Sequence, residues 1–250
     1  MNLTFDKNLF LQVGLDSASL TMLGGITHRF MEPGQYRGAV YRDKQVIGSF
    51  YLNADKNSPV AQANIDLAAF DSNATPPGTA ADSSCGCHEQ SKTPTYDVNP
   101  KGYVLFHVSG GEGGFAVRVS KAVEDPKEQN AFDSRELKGE DIFSAVVLRP
   151  GTYSMTNLRG KARGEVVVNY PKAGKTPYRP PQPVSVECPE GGFRPNKVEL
   201  HPGQAILFQC HGPSHIKLEL TKADDGPADR PSHSRSGWKR AALPEPKAKA

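Results

Sequence analysis

No stretch of this chain approaches the roughly 18 consecutive apolar residues that a membrane-crossing helix requires, so a helical membrane span is excluded on sequence grounds. The opening residues, Met1-Asn2-Leu3-Thr4-Phe5-Asp6, carry no basic leader followed by an apolar run, and the expected compartment is the cytoplasm. Cysteine is scarce. Four residues in a chain of 250 (Cys85, Cys87, Cys188 and Cys210) cannot form a disulfide framework, which leaves free thiols or metal ligands in a reducing compartment. In an oxidising one, Cys188 and Cys210 could bridge. Charge of one sign is also missing: 30 basic residues against 27 acidic ones leave a formal net charge of +3, and nucleic acid is not an expected partner. No long 3.6-residue periodicity occurs. The best short helix candidate, 16–23, competes with a strand reading. Neither a Gly-x-Ser-x-Gly elbow nor a His-Glu-x-x-His helix is present. The glycines at 110, 111, 113 and 114 are flanked by strand-like runs, not by the helix that a phosphate loop needs. Nothing in these motifs argues for an enzyme.

The chain is rich in turn formers, with 24 glycines and 21 prolines. Three Pro-Gly pairs separate strand-like segments: Glu32-Pro33-Gly34-Gln35-Tyr36, Arg149-Pro150-Gly151-Thr152-Tyr153 and His201-Pro202-Gly203-Gln204-Ala205. Proline presets φ near −65° and glycine accepts a positive φ, so each pair predicts a type II turn. Each is preceded by a strand pattern and followed by two more. The run 215–220 alternates strictly, with Ile216, Leu218 and Leu220 on one face and Lys217 and Glu219 on the other, as a half-buried strand requires. Segments 103–108 and 115–119 predict a further hairpin.

The expected fold is therefore all-β: two or three small antiparallel β-sandwich units with a disordered linker and tail. Unit one covers 1–70, a flexible linker or long loop 71–100, and a second unit 101–171. A small unit at 183–222 follows a stretch with five prolines between 171 and 183. At about forty residues it cannot bury a core alone and must pack on another unit or another chain. A basic tail, 223–250, ends the chain.

Two clusters suggest metal chemistry. Cys85-Gly86-Cys87-His88 offers two thiols and an imidazole, but with Cys-x-Cys spacing and no second pair nearby. The second cluster lies in the last unit. The stretch Phe193-Arg194-Pro195-Asn196-Lys197-Val198-Glu199-Leu200-His201-Pro202-Gly203-Gln204-Ala205-Ile206-Leu207-Phe208 resembles the opening strands of cupredoxins, and 142–170 resembles their closing hairpin in part. The resemblance implies a β-sandwich and places His215 where the first copper histidine would stand. An alternative alignment makes Cys210 the thiolate and His215 a histidine ligand, with His211 as a further donor. Thr156 and Asn157 stand where a cysteine would be expected, and no methionine follows His215 as an axial ligand. Two functions follow. One is a non-enzymatic binding or assembly protein with a protein partner, or self-assembly, and no cofactor. The other is a copper- or zinc-binding cupredoxin-like protein using His215, Cys210 and His211.

Overall fold

The computed structural model describes residues 11–71, 93–122, 129–171 and 177–224. Cys85, Cys87, His88 and nearly all of the expected basic tail lie outside them. In chain order the strands are β1 (Gly14–Asp16), β2 (Gly24–His28), β3 (Gly34–Arg42), β4 (Gln45–Ala54), β5 (Gln62–Asp66), β6 (Thr95–Val98), β7 (Tyr103–His107) and β8 (Phe115–Lys121). Then come β9 (Gln129–Asp133), β10 (Asp141–Val146), β11 (Gly151–Asn157), β12 (Arg163–Val168), β13 (Val184–Cys188), β14 (Lys197–Leu200), β15 (Ala205–Cys210) and β16 (Ile216–Ala223). One 3-10 turn, Leu67–Phe70, follows β5, its Ala68 N–H capped by the Asp66 carboxylate. The all-β expectation holds. No helix among the described residues is long and apolar enough to cross a membrane.

Three sheets result, ordered β1-β16-β11-β12-β14, β13-β15-β10-β2-β7-β5 and β6-β4-β3-β8-β9. They are mixed, where antiparallel ones were expected. β4 pairs with β6, β5 with β7, β12 with β14 and β13 with β15, all parallel. Strand β6 lies inside the stretch expected to be a linker. The predicted hairpin of 103–108 and 115–119 does not form: β7 belongs to the six-stranded sheet and β8 to a five-stranded one, so the glycine-rich loop crosses between sheets. β15 and β16 divide in the same way. The small unit 183–222 contributes β13 to β16, which pair with β10, β11, β12 and β1.

The strand pairings reveal an internal repeat. β2 through β8 connect and pair as β10 through β16 do, and residues 15–36 align without a gap on 132–153. Both copies open with Asp-Ser-x-x-Leu: Asp16, Ser17 and Leu20 in one, Asp133, Ser134 and Leu137 in the other. Buried Ser17 accepts at Oγ from the Ile216 N–H at 3.0 Å, and buried Ser134 accepts from the Val117 N–H at 2.9 Å. These contacts cross between repeats. β1 leads into the first repeat but pairs with β16 of the second; β9 leads into the second but pairs with β8 of the first. The antiparallel β2·β10 pair fuses the halves into one six-stranded sheet. Buried apolar side chains from all three sheets form one continuous core.

The three Pro-Gly pairs do two different jobs. At Gly203, φ is +80° and the Gln204 N–H donates to the His201 carbonyl at 3.0 Å, the predicted type II turn. At Gly34 and Gly151, φ is +147°, and the chain steps from the six-stranded sheet into a five-stranded one. Tyrosines fasten both steps. Tyr36 Oη donates to the Glu32 carbonyl at 2.6 Å and Tyr153 Oη to that of Arg149 at 2.8 Å. Tyr36→Phe and Tyr153→Phe should each cost about 1 kcal/mol in chemical denaturation, the net value of one such hydrogen bond, and add in the double variant. Loss of neither stability nor cooperativity in the double variant would show that the two corners are held by packing alone.

Candidate functional site

The metal candidates are placed as follows. Cys210 ends β15, fully buried, in register with buried Cys188 on the parallel neighbour β13. Each thiol points to the carbonyl two residues earlier, Cys210 to Phe208 at 3.9 Å and Cys188 to Val186 at 3.7 Å. The hydrogen bond with Cys210, together with burial, pushes the Cys188 thiol far up, so it stays protonated. His211 is exposed, and its N–H donates to the Cys188 carbonyl at 3.2 Å. His215 is half-buried with Nε2 2.7 Å from Asp16 Oδ1. Cys210 thus faces a second thiol, while His215 faces a carboxylate on β1. Among the described residues, no group of three or more His, Cys, Asp or Glu is arranged to hold a metal ion. Asn157, at the position where a cysteine would be expected, staples a loop: Oδ1 accepts from the N–H groups of Arg159 and His215, both at 3.0 Å, and Nδ2 donates to Ser214 Oγ at 3.3 Å.

The Asp16–His215 pair has a pH signature. Burial alone would raise the Asp16 carboxyl, but hydrogen bonds from His215 and the Ala18 N–H, with the charges of His215 and Lys217, outweigh it and hold the group below its ordinary value. A carboxyl depressed in the folded state contributes stability above its unfolded value and loses it as pH falls through the folded one. Asp16→Asn should therefore be less stable than the parent by on the order of 1 kcal/mol near pH 6, and this gap should close below about pH 4. Urea melts at both pH values check this; a gap that persists at pH 2 would assign the loss to packing.

A different region is an open groove on the outer face of the β6-β4-β3-β8-β9 sheet. On the outward face of β3, Arg37, Ala39 and Tyr41 alternate with inward-facing Tyr36 and Val40. β8 presents Arg118 between buried Val117 and Val119. With Ser49 on β4 and Ser120 on β8, these side chains line a groove of about 530 Å³. The register sets Arg37 opposite Ser120 and Tyr51, and Arg118 opposite Ala39. Among the described residues, neither Arg37 nor Arg118 has an ion-pair partner, and Arg118 Nε is buried without a hydrogen-bond acceptor. At the groove's end the Arg135 guanidinium lies over the Tyr41 ring, 4.8 Å from its centroid, and is neutralised by Asp133 at 2.9 Å.

The second repeat supplies an internal comparison. Register places Ser154 at the equivalent of Arg37, Lys217 at that of Arg118 and Glu219 at that of Ser120. There Lys217 pairs with Glu219 at 2.7 Å, and on the neighbouring strands Lys197 pairs with Glu165 at 2.9 Å. The same face is charge-balanced in one copy and carries two unbalanced guanidiniums in the other.

No protein-family model, curated protein or solved structure matches the chain. Sequence reading passed over Arg37 and Arg118 because each looks like an ordinary outward residue of a half-buried strand. The signal that finds them is the difference between aligned repeats.

Proposed function

We propose that the protein is a non-enzymatic binding protein whose recognition surface is the outer face of β3, β4 and β8, and that its partner is an acidic segment of another protein. The observation that carries this reading is the pair of guanidiniums left without carboxylates in an open groove. A guanidinium fork matches a carboxylate bidentately. Tyr41 and Tyr51 flank the arginines and give flat apolar contact beside the charges. The groove volume falls in the ordinary range for ligand sites. The alternative, a copper- or zinc-binding cupredoxin-like protein, draws on His215, Cys210 and His211; the Cys210 thiol, beside Cys188, is directed to the Phe208 carbonyl and His215 to Asp16.

Fluorescence titration with a labelled hexaglutamate peptide tests the proposal, with hexaglutamine as the uncharged control. Arg37→Ala and Arg118→Ala should each weaken binding roughly tenfold, the value of one charge-assisted hydrogen bond. Ser154→Ala, in the balanced copy, should change nothing. Raising ionic strength should weaken the complex. Equal affinity for both peptides, or an unchanged double arginine variant, would sink the reading. Binding of a sulfated disaccharide but not of hexaglutamate would overturn the partner class.

A further inference from the structure

A second cavity sits on the first repeat, where the segment leaving β2 for β3 passes β9, and it does not share the arginine groove. Its volume is about 210 Å³. The alignment of the repeats locates its counterpart: Arg29, Phe30, Met31 and Tyr36 correspond to Val146, Val147, Leu148 and Tyr153. Those four residues line a space of only about 10 Å³. The fold closes this corner with apolar side chains in one copy and leaves it open, with polar walls, in the other. The opening is therefore not a requirement of the architecture.

The polar groups around it are fixed in place. His28 Nδ1 lies 2.5 Å from Oδ1 of Asp141, a nearly fully buried carboxylate whose other oxygen accepts from the Lys138 N–H at 2.8 Å. The imidazole is also held against Phe30 and Phe132, with both ring centroids 4.5 Å away. The Asp141 carboxylate on Nδ1 fixes the orientation of the ring. Arg29 is pinned as well. Its guanidinium lies over the Tyr103 ring at 4.4 Å and donates from Nη2 to the Tyr103 hydroxyl, while Nη1 is 3.7 Å from Glu140. Its Nε is buried with no acceptor. A guanidinium carries two N–H groups on each Nη, so one remains on each beyond these contacts.

We infer that this cavity binds a small carboxylate with a flat apolar body, the acid reaching the Arg29 edge and the body lying against Phe30, Met31 and Tyr36. The volume is below that of drug-sized sites and fits a single-ring acid. Met31, 70% exposed, forms a wall that can adapt to the ligand's shape.

The test is a two-dimensional NMR titration of the intact chain with benzoate, and with benzamide as the uncharged isostere. The expected result is saturable shifts confined to His28, Phe30 and Ala131, with benzamide at least tenfold weaker. Arg29→Gln should weaken benzoate at least tenfold. Ala131→Leu, which fills the cavity from β9, should abolish binding while the strand spectrum by circular dichroism is retained. Three results would overturn the inference: no saturable shift up to about 10 mM benzoate, already beyond the weak end of specific affinity; equal binding of benzamide; or unchanged affinity in a folded Ala131→Leu variant. Because the arginine groove is elsewhere, Arg37→Ala should leave benzoate binding intact, so this site and the groove fail independently.

Discussion

Phe106→Ala should destabilise the protein by about 3–5 kcal/mol, the range for deleting a buried phenylalanine that its neighbours cannot collapse onto. Phe106 is fully buried on β7, opposite Ile26 of β2 and Ile65 of β5. Both neighbouring strands hydrogen-bond to β7, so the backbone cannot close over the void. The ring stacks on Phe132 with centroids 5.2 Å apart and planes 7° apart, and lies 6.3 Å from Phe50. Phe132 belongs to β9, the strand that opens the second repeat, so the lost contact also holds an exchanged strand in place. Phe132→Ala should consequently couple to Phe106→Ala, the double variant losing less than the two singles added. Guanidinium denaturation measures all three. A loss below about 1 kcal/mol would mean that the stack is a minor part of the core.

Gly38→Ala should be nearly as damaging, at about 2–3 kcal/mol, for the opposite reason. Gly38 pairs directly with Phe50 across β3·β4, and a methyl placed on it would lie 2.0 Å from Phe50 Cζ. The Phe50 ring in turn touches Phe70, Tyr96 and Phe106, so it cannot swing away without moving the core. Gly38 is not among the glycines with positive φ, and the cost is steric rather than conformational. Gly110 provides the control, since an added Cβ there meets nothing within 4 Å. Gly110→Ala should stay within about 0.5 kcal/mol of the parent. Thermal melts of the two variants distinguish a local clash from a general effect of removing glycine, and a Gly38→Ala melt matching the parent would refute the aromatic cover over Gly38.

Period-two alternation and turn chemistry made the strands legible, including β3, β4, β11, β12 and β16. They could not show which strand lies beside which. Alternation assigns a residue to a face, while pairing depends on contacts between residues far apart in the chain. The segments 103–108 and 115–119 therefore read as a hairpin, although β7 and β8 belong to different sheets. β6 was hidden because Thr95-Tyr96-Asp97-Val98 is a short edge strand beside a proline-rich stretch. The helix candidate at 16–23 becomes β1's end followed by turns, since the Asp16 carboxylate accepts from the Ala18 N–H and the Ser17 hydroxyl from the Ile216 N–H of the other repeat. The Pro-Gly pairs were visible, but three similar signals concealed two roles. The repeat's better marker, Asp-Ser-x-x-Leu, draws its meaning from serines that bond across to the other copy. The site residues were less legible still: Cys188 opposite Cys210 is a matter of register, and Arg37 beside Arg118 one of sheet order.

The traded opening strands turn a duplication into a clasp. Neither half can shed its final strand without freeing the first segment of the other, and the β2·β10 seam ties their centres together. Melting that begins in one half removes support from its twin, so heat or denaturant should see one cooperative body where the sequence suggests beads on a string.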